Sequence, residues 1–148
     1  MRPGWFIAFF AAILSISAWL PWLTTAADGG GHASAIGGSV GSLQLPARFG
    51  VGQAIVLLAA VLLVVGAMVG RRLSLKVSSV VALAVSLLIA ALIVWYYHMN
   101  VVPPAAAGYG LYLAAASATG AVGCSVWALT ALTLQHYDDG KPGPFTGK

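Results

Sequence analysis

The residue with the clearest capacity for chemistry is His98, because imidazole exchanges protons near neutral pH and binds metal ions. It lies beside Tyr96, Tyr97 and Asn100. A haem or metal ion bound there would need a second ligand, and His32 is the histidine whose predicted position allows it to approach His98. The interpretation we favour is simpler: a histidine at a membrane interface, bonded to water or backbone.

Aromatic side chains form the second group that could bind a ligand. Together with His98, they are candidate contacts for a quinone ring or a lipid head group at one membrane surface: Trp19, Trp22, Trp95, Tyr96 and Tyr97. Aromatic belts also occur at membrane interfaces with no specific ligand. The sequence leaves both interpretations open.

Ionisable groups are absent from the long apolar runs. The acidic residues are Asp28, Asp138 and Asp139, and all three lie outside these runs. Catalysis and coupled transport in a membrane usually need a titratable group at hydrocarbon depth. The single Cys124 cannot form an internal disulfide, and no phosphate-binding glycine loop or metal-ligand cluster is evident. We therefore predict no enzymatic activity, no cofactor and no bound metal.

Composition indicates a membrane protein. The chain of 148 residues is 60% hydrophobic and 7% charged, with a mean hydropathy of +0.94. Four apolar runs are each long enough as a helix to cross a hydrocarbon core of about 30 Å. We predict an all-α membrane protein, a four-transmembrane-helix bundle within residues 1–134, with spans at about 5–23, 51–69, 77–98 and 109–134. Residues 135–148 form a polar cytoplasmic tail that should not become a helix.

Basic residues predict the orientation. Arg71, Arg72 and Lys76 join the second and third runs and make up three of the seven basic residues. Because cytoplasmic connections are enriched in Lys and Arg, we expect this turn and both termini in the cytoplasm, with the protein in the inner (plasma) membrane. The same three residues are candidate contacts for anionic lipid. Their position beside span ends argues against a nucleic-acid partner.

The predicted outer loop, residues 24–50, is rich in glycine. Pro21 should break the first helix, with Trp19 and Trp22 at the interface. Further on, Gly37 and Gly38 separate residues 33–36 from residues 40–45, a pattern that fits a small β-hairpin over the outer face of the bundle. An unstructured loop is the alternative.

Small residues predict close helix packing. Gly66 and Gly70 form a GxxxG motif in the second run. A continuous stripe in the fourth run includes Gly110, Ala114, Ser117, Ala121 and Cys124. Small side chains let helix backbones approach closely in lipid, so a compact bundle is favoured over loosely tethered helices.

One resemblance bears on function. The segment Ala18-Trp19-Leu20-Pro21-Trp22, the glycine-rich outer loop and the segment Phe49-Gly50-Val51-Gly52-Gln53 resemble the small four-span membrane proteins of actinobacteria. Some small membrane proteins of these bacteria are accessory subunits of respiratory or cell-envelope assemblies. The resemblance implies a class of role and no catalytic residue.

The leading hypothesis is a non-catalytic accessory subunit or assembly factor that binds other integral membrane subunits of a larger complex. The alternative is a small membrane protein that binds a lipid or quinone through the outer aromatic residues. A pore-forming homo-oligomer comes last, because no span carries a polar stripe.

Overall fold

Four helices and a small antiparallel sheet make up the chain in the computed structural model. It describes residues 3–26, 30–41, 50–101, 103 and 105–139, with residues 135–139 described by their backbone alone. The order of elements is α1 (Pro3–Ser17), β1 (Pro21–Thr25), β2 (Gly31–Ser34), β3 (Ser39–Gly41), α2 (Gly50–Gly70), α3 (Leu75–Asn100), β4 (Ala105–Ala107) and α4 (Tyr109–Asp139).

Three of the helices are long and apolar enough to cross a membrane. They are α2, α3 and the segment Tyr109–Leu134 of α4, whose most apolar stretches of 18 residues have mean hydropathies of 2.5, 2.8 and 1.4. The fourth, α1, is apolar but has only 15 residues, which gives it a length of about 22 Å. The backbone of α4 stays helical through Asp139, so the prediction that residues 135–139 belong to a non-helical tail is wrong. Residues 140–148 lie outside the described residues.

The helices pack in a ring. Helix α1 lies against α2 and α4, and α3 lies against the same two helices, so that α1 and α3 occupy opposite corners. Large aliphatic side chains fill the interior, among them Ile7, Leu14, Ile55, Leu62 and Ile89. Small residues occupy the helix contacts, as the sequence predicts for helices that associate without a hydrophobic drive.

Helices α1 and α2 approach each other closely at glycines. A Cβ atom built on Gly4 would collide with the backbone of Gly70, and one built on Gly66 would lie 2.8 Å from the backbone nitrogen of Ala8. The GxxxG motif of α2 therefore faces a second small-residue pair, Gly4 and Ala8, at the same four-residue spacing on α1.

The sheet covers the end of the bundle at which α2 and α4 begin. Its strand order is β3-β2-β1-β4, and all three pairings are antiparallel. The turn of the predicted hairpin contains Gly37, whose φ of 111° suits glycine. The hairpin itself is β2 and β3, although the predicted residues 42–45 lie outside the described residues. Strands β1 and β4, which the sequence did not predict, extend this hairpin to a four-stranded sheet.

The end of the first helix differs from the prediction. The sequence predicts a span that continues to Leu23, whereas α1 ends at Ser17 and β1 follows from Pro21. A proline ring clashes with the carbonyl four residues earlier in a helix, and for Pro21 that carbonyl belongs to Ser17. The Ser17 carbonyl instead accepts a hydrogen bond from the Trp22 indole Nε1 at 2.8 Å.

Candidate functional site

The aromatic residues at the sheet end of the bundle do not form one site. Trp22 is fully buried and Tyr96 is 3% exposed, and their rings meet edge to face with centroids 5.2 Å apart. Trp19 and Trp95 are exposed. Trp22 is therefore not open to a ligand, and its buried indole donates a hydrogen bond to the carbonyl of Ser17, the last residue of α1.

Tyr97 and His98 also point outward. Both are exposed, and their rings contact each other at a centroid distance of 5.9 Å. His32 is exposed on β2. Among the described residues, no group of three His, Cys, Asp or Glu side chains lies close enough together to hold a metal ion.

An open groove runs along one face of α3 beside these residues. It has a volume of about 360 Å³ and is lined by Ala91, Val94, Trp95, His98 and Met99. All five come from a single helix at the spacing of one helical face. Such a groove lacks a second wall, so a ligand there would contact one helix and the surrounding lipid.

The opposite end of the bundle carries the basic turn. Arg71, Arg72 and Lys76 are all exposed there, as are Leu73 and Ser74. The turn ends α2 with two backbone bonds, from Arg72 to Val69 and from Leu73 to Met68. This pairing places Arg72 in the left-handed conformation, with φ of 59°, where helices usually have glycine.

A cleft lies beneath this turn, where all four helices meet. Its volume is about 100 Å³, and its lining combines one cation and one hydroxyl with apolar side chains: Pro3, Val69, Arg72, Leu75, Ser79, Ala128, Ala131 and Leu132. The Ser79 hydroxyl is buried and has no hydrogen-bond partner among the described residues. Nothing in the sequence separates Ser79 from the other serines of the helices.

The small residues predicted on α4 lie largely inside the bundle. Gly110, Ala114, Ser117 and Ala121 are buried, and Cys124 is half-buried. Gly120 belongs to the same inward side, because a Cβ built there would lie 2.7 Å from the ring of Phe10. Internal packing therefore explains these positions.

A second set of small residues on α4 faces outward. Ala116, Thr119 and Gly123 are exposed and lie on one helical face, with exposed Tyr112 one turn before them and Trp127 one turn after. A Cβ built on Gly123 would meet nothing within 4 Å. We call these five residues the α4 notch. Residue types alone do not separate the notch from the inward stripe of small residues.

Comparison with known proteins gives no functional assignment for this chain. No family model, curated protein or solved structure matches it. The resemblance to small four-span proteins of actinobacteria therefore stays a prediction. Any functional assignment must come from the notch, the groove and the cleft.

Proposed function

We propose that this protein is a non-catalytic accessory subunit or assembly factor of a larger complex in the inner (plasma) membrane, respiratory or cell-envelope in type. The α4 notch is the surface that contacts the partner. The partner is an integral membrane protein that contributes one apolar helix, closely packed against Gly123.

Gly123 is the observation that carries this proposal. Glycine in a helix interior costs about 1 kcal/mol relative to alanine, so a helical glycine normally has a packing reason. Gly120 has such a reason in Phe10, whereas no described residue of this chain lies near the missing Cβ of Gly123. A helix from another subunit would supply one, because small residues allow close approach of backbones in lipid.

The neighbouring helices present a different surface. The outward faces of α2 and α3 carry mostly large aliphatic side chains, such as Leu57, Val64, Leu87 and Val94. These are suited to contact with lipid chains. Among the helix surfaces that the structure describes, the notch alone combines three small residues with flanking aromatics, which are favoured at protein contacts.

Four crossings with both termini in the cytoplasm are part of the same proposal. Helix α1 is short, but it packs along α2 and α4 for its length, and the chain beyond it remains apolar and buried at Ala18, Trp22 and Leu23. The basic turn at Arg71 and Arg72 favours a cytoplasmic position for the α2–α3 connection.

Affinity purification in a mild detergent tests the accessory role. We expect the wild-type protein to retain an integral membrane partner in fixed stoichiometry and Gly123→Leu to lose it, because the added side chain fills the notch. Ala84→Leu is the matched control, since Ala84 is exposed on α3 and the substitution adds similar bulk. The proposal would be contradicted if both variants retained the partner, or if the only protein recovered were a second copy of this chain.

A second candidate function is lipid or quinone binding at the α3 groove. It is favoured by the aromatic and imidazole rings of Trp95 and His98 in the groove lining. Native mass spectrometry of the purified protein should then show a retained quinone or lipid that Trp95→Leu releases. Tyr97→Leu is the control, because Tyr97 is exposed nearby but does not line the groove. Equal retention by the Trp95 variant and the wild type would rule this site out.

A further inference from the structure

One buried serine differs from the others. Five of the six buried serines donate a hydrogen bond to a backbone carbonyl, at distances of 2.7–3.0 Å: Ser17, Ser78, Ser86, Ser117 and Ser125. Ser79 is 0% exposed and its Oγ has no partner. A buried hydroxyl without a partner is costly, so Ser79 needs an acceptor from outside the described residues.

The surroundings of Ser79 indicate what that acceptor is. Ser79 lies four residues into α3 from Leu75, which places it about 6 Å deeper than the start of the helix. Arg72 lines the same cleft at its mouth, and the remaining lining residues are apolar. A ligand that fits must have a negative charge at one end, oxygen acceptors just below it, and an apolar part beyond.

We propose that the cleft binds the phosphate and glycerol region of an anionic phospholipid, drawn from the leaflet at the basic turn. The Arg72 guanidinium pairs with the phosphate, and the Ser79 Oγ–H donates to a phosphate or ester oxygen. The first acyl carbons lie against Val69 and Leu132. This site is independent of the proposed contact at the α4 notch, which lies on the outward face of α4.

The size of the cleft fits part of a lipid and no more. A volume of about 100 Å³ is several times the 10–15 Å³ or so that a single water requires. It therefore admits a group of several heavy atoms, while the acyl chains continue along the outside of the bundle.

The test is lipid titration of the delipidated protein in detergent, followed by native mass spectrometry. Dioleoylphosphatidylglycerol is compared with dioleoylglycerol, which has the same chains and no phosphate, and with soluble glycerol phosphate. We expect the anionic lipid to bind at least about tenfold more tightly than either compound. The neutral lipid lacks the charged hydrogen bond to Arg72, and glycerol phosphate lacks the apolar contacts of the acyl chains.

Two uncharged substitutions separate the cleft from general surface charge. Ser79→Ala should weaken binding of the anionic lipid about threefold to tenfold, the effect of one hydrogen bond. Ala131→Leu should weaken it further by filling the cleft. The matched controls are Ser86→Ala, which removes a buried hydroxyl that already has a partner, and Ala84→Leu, which adds bulk outside the cleft. Both should bind as the wild type does.

Charge is tested by Arg72→Gln against Arg71→Gln. Both remove one positive charge from the turn, but only Arg72 lines the cleft, so its loss should weaken binding more. Equal binding of the two lipids, or of glycerol phosphate and the anionic lipid, would overturn the proposal. It would also be overturned if Arg72→Gln weakened binding while Ser79→Ala left it unchanged, because surface charge alone would then explain the lipid preference. Ser79→Ala keeps the size of the side chain, so the fold is retained in the deciding variant.

Discussion

Substitution of Gly4 by alanine gives the sharpest test of the packing. A Cβ at this position would lie closer than 3.0 Å to backbone atoms of Val69 and Gly70, which cannot move aside as a side chain can. Overpacking costs about 1–3 kcal/mol, and the upper part of this range, about 2–3 kcal/mol, applies here because the obstructing atoms are backbone. Alanine regains part of this through its higher helix propensity, by at most about 1 kcal/mol. We therefore expect Gly4→Ala to lower the free energy of unfolding by about 1–2 kcal/mol.

Gly123→Ala is the matched control, since its new methyl group would meet nothing within 4 Å. In the isolated protein it should be neutral or stabilising by up to about 1 kcal/mol. Unfolding in mixed micelles with increasing SDS, followed by tryptophan fluorescence, measures both free energies. Our assignment of the α1–α2 contact would be refuted by a Gly4 variant as stable as the wild type, or by equal destabilisation in the two variants.

The remaining predictions concern the sheet end and the orientation. Trp22→Phe should lower the thermal midpoint, because it removes the indole hydrogen bond to the Ser17 carbonyl; the cost is about 1 kcal/mol, since the Leu20 N–H still bonds that carbonyl. Tyr96→Phe removes a buried hydroxyl that has no partner among the described residues and should not lower the midpoint. A lower thermal midpoint for Tyr96→Phe than for Trp22→Phe would contradict this reasoning. In a Cys124→Ala background, a membrane-impermeant maleimide should label Ser39→Cys in intact cells and Leu73→Cys only after lysis, and the reverse pattern would invert the proposed orientation.

Helix number and placement could be predicted because lipid imposes a simple rule on composition. The predicted spans 51–69, 77–98 and 109–134 each fall within a helix of the structure, since a long apolar run has few other ways to satisfy its backbone in a membrane. The sequence also indicated the turn between α2 and α3 from its basic residues. These features depend on local composition alone.

The sheet end could be predicted only in part, because its strands pair over long distances. Gly37 and Gly38 gave a local signal for the β2–β3 turn. Nothing local indicates that β1 pairs with β4, more than 80 residues later. Pro21 signalled a break, and α1 ends four residues earlier at Ser17, whose carbonyl accepts the Trp22 indole bond that the sequence did not indicate.

The candidate sites were harder to predict because side-chain type does not reveal direction. By residue type, the small residues of the α4 notch do not differ from inward residues such as Ala114 and Ala121. Only the packing of the bundle separates the two faces of α4. The same holds for Ser79 among the serines of the helices. Ser79 stands out only when the hydrogen bonds of the other five buried serines are compared with its own lack of one among the described residues.

Site-specific photo-crosslinking in living cells tests the accessory role most directly. A photoreactive phenylalanine analogue is placed in the α4 notch at Thr119 and, for comparison, on the outward face of α3 at Leu88, which is 49% exposed. We predict one defined adduct with a different integral membrane protein from position 119 and none from position 88. Adducts with lipid alone at both positions, or a covalent dimer of this chain from position 119, would contradict it.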